Sequence, residues 1–485
     1  MARFFSHFRL LRLSQLPAIM LVSSCMIVGT NYTAPDSITP DYWNQSLASD
    51  LNSSNPSLQS WWTRFNDPTL NLLISKARES NRDLAIAYER ITEARAARGI
   101  PRSQLFPNID FDGSVSRNRT SENIGLPGGG KTNDFWTTGL DASWELDFFG
   151  GVRRAVESAD ATVEGVEELY RDTLVSIYAE VAFNYIQIRT LEERIRVAEK
   201  NIANQEGAVS LTQDRLDAGL SPELDVSQAT TNLATTRSII PLLRNQRNLS
   251  VNRLATLIGR YPAPTQSLLG KSKGIPVPKG SFGVGIPADL VRARPDIRAA
   301  ERELAAQTAR IGVAEADLLP RFVLSGTFDL QALDSNNLLE SSSRNYGFGP
   351  SFRWNIFSAG RIQSQIAIEE SLTKQAFFNY QNTVLKGVEE VENSLSTVRN
   401  ERDRLNELNT AVTASLKTEE LVTANYTEGL IDFQNVLDAQ RTVFGNEDEQ
   451  AISQGQIAAG YVSLFKALGG GTEMQAPAVE QNGKP

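Results

Sequence analysis

The stretch Gly125 to Thr132, GLPGGGKT, fits the phosphate-loop pattern G-x-x-x-x-G-K-[ST], in which backbone N–H groups and the lysine cradle nucleotide phosphates. That chemistry requires the loop to leave a buried strand and open a helix, so that the helix N-terminus faces phosphate. Here the loop follows the polar run Ser116 to Glu122 and precedes an alternating strand from Thr137, so it is expected to be a hairpin tip and not an ATP site. A second possible chemistry is paired-carboxylate catalysis at Glu389, Glu390 and Glu392. These acids fall on a heptad surface with no Gly-rich or aromatic pocket nearby and are expected to be a solvated helix face. Metal and thiol chemistry lack their residues. The chain has one His, His7, and one Cys, Cys25, both within its first 25 residues. No catalytic residue, metal or cofactor is expected.

The N-terminus has the layout of an export signal. Arg3, Arg9 and Arg12 give a positive start, and Leu13 to Val22 give an apolar stretch too short for a comfortable membrane span. It ends in Leu21-Val-Ser-Ser-Cys25, which resembles the lipobox of bacterial lipoproteins, where a lipidated Cys becomes the new N-terminus. The plainer alternative is an ordinary signal peptide with an incidental Cys. Met26 stands where Asp would signal inner-membrane retention, so the resemblance implies outer-membrane sorting. Cleavage before Cys25 leaves no His, which excludes Ser-His-Asp triads. The loss of three Arg moves the formal charge from −9 to −12, an acidic balance that argues against nucleic-acid partners.

Two halves of the chain carry similar text at a shift of a little over 200 residues. Asp83-Leu-Ala-Ile-Ala-Tyr-Glu returns as Asp296-Ile-Arg-Ala-Ala-Glu-Arg, and LFPNIDFDGSVS from Leu105 returns as LLPRFVLSGTFD from Leu318. WELDFFGGVRR from Trp144 returns as FRWNIFSAGRI from Phe352, and RLDAGLSPELDVSQA from Arg215 as NYTEGLIDFQNVLDA from Asn425. The division that follows is a signal peptide at 1–24, a lipidated N-terminal segment and belt at 25–80, and a first repeat at 81–258. A linker at 259–295, a second repeat at 296–468 and a tail at 469–485 complete it.

Each repeat contains two stretches of strict alternation, the mark of half-buried strands. Ile109, Phe111, Gly113 and Val115 alternate with Asn108, Asp110, Asp112 and Ser114; Leu140, Ala142, Trp144, Leu146 and Phe148 alternate with Asp141, Ser143, Glu145 and Asp147. The second repeat has Phe322, Leu324, Phe328 and Leu330, then Tyr346, Phe348, Phe352, Trp354 and Ile356. A soluble sandwich would also alternate. Four strands of about ten residues with an acidic face and terminal aromatics match membrane-barrel strands instead. Four strands cannot close around water, so several copies must share one barrel.

Long helical patterns follow, from Val152 to Ala218 and from Arg361 to Glu428, each roughly 100 Å long at ~1.5 Å per residue. Leu174, Ile177, Val181, Tyr185, Ile188, Leu191, Ile195, Ala198 and Ile202 recur on average about every 3.5 residues, which implies left-handed coiled-coil packing. Gly219 and Gly429 suit the left-handed position after a helix. New helices follow at once, with Ser221 as N-cap and Pro222 at N1 in one repeat and Asp432 as N-cap in the other. The returning helix ends at about Leu257, and a short helix from about Asp296 to Leu318 leads into the next strand. The Pro- and Gly-rich segment 259–287 is expected to lie beside the helices of one repeat as an irregular belt, with the termini serving the other.

From WWTRFNDPTLNLLISKA at Trp61 through RARPDIRAAE at Arg292 to DAQRTVF at Asp438, the chain resembles the TolC-like outer-membrane factors, in particular the lipoprotein branch serving drug-efflux pumps. The resemblance implies a mainly α fold with membrane β-strands. Three chains would share a twelve-strand outer-membrane barrel and a tunnel of twelve helices across the periplasm. It further implies a periplasmic adaptor (membrane fusion) protein and an inner-membrane pump of the RND type as partners, and outer-membrane lipid as surroundings. Asp438 matches a family aperture acid and Asn435 replaces its neighbour; Tyr426 aligns with a Tyr that holds the hairpin tips, and Asp225 with its acceptor. The basic partner of that network falls on Ile431. Ala218, Gly219, Leu220, Gly429 and Leu430 would meet the adaptor. Taken plainly, Asp225 and Asp438 are acids near helix starts favoured by the macrodipole, and the tip residues simply form turns. Protein export through a type I system and a trimeric coiled-coil surface rod are the alternatives to small-molecule efflux.

Overall fold

The computed structural model describes residues 27–36, 39–54, 58–124 and 130–472. The signal segment, Cys25, loop residues 125–129 and the tail beyond 472 lie outside the described residues. The main elements are β1 (Leu51–Asn52), α1 (Pro68–Ser80), α2 (Arg82–Ser103), β2 (Asn108–Arg119), β3 (Thr132–Leu146), α3 (Gly151–Asp217) and α4 (Glu223–Leu257). They continue with α5 (Pro262–Leu269), β4 (Phe282–Gly283), α6 (Pro287–Ala293), α7 (Pro295–Ala316), β5 (Arg321–Ala332), β6 (Arg344–Arg353), α8 (Arg361–Thr427) and α9 (Phe433–Ala467). The series helix, strand, strand, long helix, shorter helix occurs twice. The long members, α3 and α8, have 67 residues each, and α4 and α9 have 35 each.

One compact unit comprises residues up to 35, 92–165 and 300–379. Its centre is a four-stranded antiparallel sheet in the order β2-β3-β5-β6. The register aligns the alternating residues into rows: Phe111, Leu140, Phe328 and Tyr346 on one face, and Asp112, Gly139, Asp329 and Asn345 on the other. Gly139 is required where it stands, because a Cβ would lie 2.4 Å from the Cβ of Asp329. Phe111 is 75% exposed and Phe348 86% exposed, so the aromatic face has no cover among the described residues. Thr132 opens a strand, which removes the helix that a phosphate loop requires. Two tryptophans brace the helix-to-strand junctions: Trp144 Nε1 donates to the Leu105 carbonyl at 3.0 Å, and Trp354 Nε1 to that of Leu318 at 2.9 Å.

The other unit comprises 36–91, 166–299 and 380–472 among the described residues. Of the nine heptad positions anticipated in α3, seven are buried, while Ile195 and Ile202 are half-buried. Arg244 and Arg247 of α4 reach Glu199 and Glu192 of α3 at 3.3 and 2.8 Å, an antiparallel ladder that fixes register more than it stabilises. Each of α3, α4, α8 and α9 stops in the same way. Gly219, Gly259, Gly429 and Gly469 take φ between 63° and 79°, and the following N–H reaches back five residues, as from Leu220 to Arg215 and from Leu430 to Asn425.

The belt segments differ from expectation in two respects. Segment 259–287 includes the helix α5, whose Pro262 takes the first-turn place that proline tolerates. The N-terminal segment also meets the linker, since β1 pairs in parallel with β4, and Trp43 Nε1 donates to Gly285 O at 3.0 Å. The acids of α8 are a correction too. Glu392 accepts the backbone N–H of Asn44 at 2.6 Å and of Gln45 at 2.9 Å, and Glu390 takes Arg294 at 2.7 Å. Both hold segments outside the long helices and are not merely solvated.

Two phenols fasten the same region. Tyr185 Oη donates to Asp67 Oδ2 at 2.6 Å, while the other oxygen of Asp67 caps α1. Burial, with the Asp67 carboxylate beside it, pushes the Tyr185 phenol up to about 12, so it remains a donor. Tyr461 donates likewise to Asp50, also at 2.6 Å.

Arg294 is 7% exposed; it donates to Asp296, to Glu390 and to the Ala467 carbonyl at the end of α9. These carboxylates outweigh its burial and hold its pKa above the ordinary guanidinium range. Arg294→Ala strands both carboxylates and a helix-end carbonyl. It should cost about 3 kcal/mol, read as a lowered midpoint in denaturant unfolding, whereas an exposed control such as Arg196→Ala should change little.

Candidate functional site: the helical hairpin tips

The tips are built by backbone rules first. In α3–α4 the helix ends at Asp217, the chain reverses through Ala218, Gly219 and Leu220, and the new helix begins at Glu223. The N-cap is Pro222, one residue later than anticipated; with no polar side chain, it leaves the first-turn N–H groups without a side-chain acceptor. In α8–α9 the cap is Asp432 as anticipated, although its carboxylate makes no capping bond. Ala218, Gly219, Leu220, Gly429 and Leu430 are all exposed, Leu220 at 66% and Leu430 at 72%.

Behind this apolar rim the structure brings Tyr426 and Asp225 together. Tyr426 is 3% exposed, and its hydroxyl donates to Asp225 Oδ2 at 3.1 Å. Its ring packs on Phe433 at 5.2 Å, in a cluster with Ala208, Ala229, Val436 and Leu437 that Ile431 also touches. Burial, then the neighbouring carboxylate, raises the phenol above its ordinary pKa, so at neutral pH it donates and does not repel.

A cation is present where sequence reasoning placed none. Arg215 lies over the Tyr426 ring at 4.8 Å and donates to the Thr427 carbonyl at 2.9 Å, tying the end of α3 to the end of α8. Its signal was visible, because Arg215 opens the repeated phrase RLDAGLSPELDVSQA. Phe433 was missed as well; it is the apolar residue directly after the cap. Ile431 packs and carries no charge into the network.

Asn435 and Asp438 do not join this cluster. They lie one turn apart on the exposed side of α9, where Asp438 accepts from Gln434 at 3.0 Å and Asn435 donates to the Asp432 carbonyl at 3.2 Å. Among the described residues, no group of His, Cys, Asp or Glu is arranged to hold a metal. The site can therefore hold ends of α3, α4 and α8 together and present carboxylates.

Comparison with known proteins agrees with this fold. The family model for outer membrane efflux protein matches residues 73–260 and 286–470. Nodulation protein T of Rhizobium leguminosarum bv. viciae is 30% identical over 453 residues, covering 93% of this chain and 92% of that protein. The pyoverdine export outer membrane protein OpmQ of Pseudomonas putida is 30% identical over 433 residues, 86% of this chain and 89% of its own. Among solved structures, the outer-membrane channel OprN superposes with a TM-score of 0.86 at 34% identity, over 92% of this chain and 99% of that one. With the family model matching most of its length and a relative 30% identical across it, the chain belongs to the outer membrane efflux protein family.

Proposed function

We propose that the chain is the outer-membrane channel subunit of a tripartite efflux pump, passively conducting small molecules such as drugs across the periplasm and outer membrane. The observation that carries this reading is the four-stranded sheet, whose aromatic face is exposed and whose outer strands, β2 and β6, each lack a partner on one side. In hydrocarbon both features need other copies. Three chains would give twelve strands and, with the repeat used twice in each, a tunnel of twelve helical elements. The chain would be anchored by lipid at Cys25 in the bacterial outer membrane and extend into the periplasm. Segments 25–80, 259–295 and 469–485 would form the belt.

Tyr426, Asp225 and Arg215 would latch the closed aperture. Asp438, repeated three times, would ring it with carboxylates that attract cations and resist closure by mutual repulsion, with Asn435 lowering that charge. Ala218, Gly219, Leu220, Gly429 and Leu430 would receive an adaptor protein, through which an inner-membrane RND pump decides opening. Relatives named for pyoverdine export favour small solutes over the polypeptides of type I secretion. A surface rod would have no use for a sheet with an uncovered aromatic face.

Two measurements test the reading. Single-channel currents of the purified protein in a planar bilayer should be small and rare. Combining Asp225→Ala with Tyr426→Phe should raise the open fraction about tenfold per latch, the effect of losing a hydrogen bond to a charged acceptor. Unchanged currents would remove the latch, and silence from both proteins after verified insertion would favour the rod. Radiolabelled palmitate should enter the wild-type chain and be absent from Cys25→Ser; label in both would refute lipidation at that residue.

A further inference from the structure

The core between the hairpin helices changes character on the way to the tips. Along α3 the buried seam is apolar or aromatic through Leu174, Val181, Tyr185, Ile188, Leu191 and Ala198, then turns polar at Asn201 and Gln205, each 2% exposed. The helices α4 and α9 meet it with polar groups of their own. Asn232 and Thr236 of α4 and Gln440 and Glu447 of α9 are all buried. Cross-helix contacts put these residues at one level. Asn201 Nδ2 donates to Glu447 Oε2 at 2.8 Å, Arg441 Nε to Asn232 Oδ1 at 3.2 Å, and Glu206, beside Gln205, pairs with Arg237, beside Thr236, at 2.5 Å. Nearer the tips lies the apolar cluster of Tyr426, Phe433, Val436 and Leu437. A polar layer about two turns deep, roughly 10 Å, thus separates the tip cluster from the apolar seam.

The layer is weakly held. Gln205 Oε1 is buried with no hydrogen-bond partner among the described residues, and Asn232 Nδ2 stands a stretched 3.5 Å from Gln440 Oε1. Each of the three helices also carries, in or beside the layer, a residue that weakens a helix: Gly207 in α3, Pro241 in α4 and Gly445 in α9. Pro241 offers no N–H to the Arg237 carbonyl. The two glycines are not there for room, since a Cβ on either would meet no neighbouring atom within 4 Å among the described residues. Farther from the tips the reverse holds: a Cβ on Gly455 would stand 2.3 Å from Thr190 Oγ1, and one on Gly460 3.0 Å from Val398 Cγ2. In α9, then, glycine serves close packing beyond the layer and backbone freedom within it.

We propose that this polar layer is the hinge of the aperture. When the latch is released, the ends of α3, α4 and α9, roughly 15 to 27 Å of each helix, swing by bending at Gly207, Pro241 and Gly445 while the apolar seam stays fixed. Gln205, Asn232 and Gln440 are positioning residues that set how readily the layer gives. The inference deepens the gating reading above and rests on it.

Hydrogen exchange of the purified full chain, read by mass spectrometry, tests the hinge without reading current. Exchange should be about tenfold faster at 201–209 of α3 and 440–447 of α9 than at 177–191 and 451–462. Combining Gly207→Ala with Gly445→Ala, which the open space accommodates, should slow the layer severalfold. On the Asp225→Ala, Tyr426→Phe background, the same alanines should lower the open fraction severalfold in planar bilayers. Exchange that is even along α3 and α9, or unmoved by the alanines, overturns the hinge. Slowed exchange with an unchanged open fraction overturns its part in opening. A layer that exchanges fast in a protein that never conducts removes the channel reading instead, and with it the aperture that the hinge serves.

Discussion

Backbone hydrogen bonding in hydrocarbon is the constraint from which the rest follows. Among the described residues no helix is long and apolar enough to cross a membrane, and the sheet carries the chain's contiguous uncovered aromatic face. A strand edge left open in lipid costs several kcal/mol for each unpaired group, so in the proposed membrane setting β2 and β6 would take partners from other copies. The register places the acids Asp110, Asp112, Asp141 and Asp329 on the face away from the aromatics. Their like charges are tolerable only where water screens them. The same alternation thus gives one face suited to lipid and another suited to water.

The helical elements solve a second problem, which is ending cleanly. Four helices finish on a left-handed glycine with the same back-bonded turn, so each hairpin reverses within a few residues and leaves few polar backbone groups needing a partner. This permits exposed, apolar, nearly featureless tips while specificity is kept one layer inside. There a single hydroxyl-to-carboxylate bond and one stacked guanidinium join ends of three helices. If the tips close an aperture as proposed, a closure held by so few polar contacts is one that a docking partner could release with modest binding energy.

Much of this was legible because it is local. Alternation placed the strands, Gly219 and Gly429 placed the reversals, and the helix ends fell within about two residues of expectation. Asp225 and Tyr426 became a pair through the family resemblance. What escaped is long-range in sequence. Arg294 reaching Glu390 and Ala467, Tyr185 reaching Asp67, Glu392 reaching Asn44 and β1 pairing with β4 all join residues far apart in the chain. No periodicity encodes those contacts. Glu390 and Glu392 were misjudged for the same reason, since a helix-face acid gives no local sign of the segment that will lie across it. Ser221 failed as a cap because the proline after it took the turning position.

In the proposed assembly one chain holds a third of a barrel. Native mass spectrometry of the detergent-extracted, membrane-inserted protein tests it most directly. A species of three chains, persisting when detergent is exchanged, is the predicted result. A single chain that remains inserted and folded with β2 and β6 unpartnered would contradict the account.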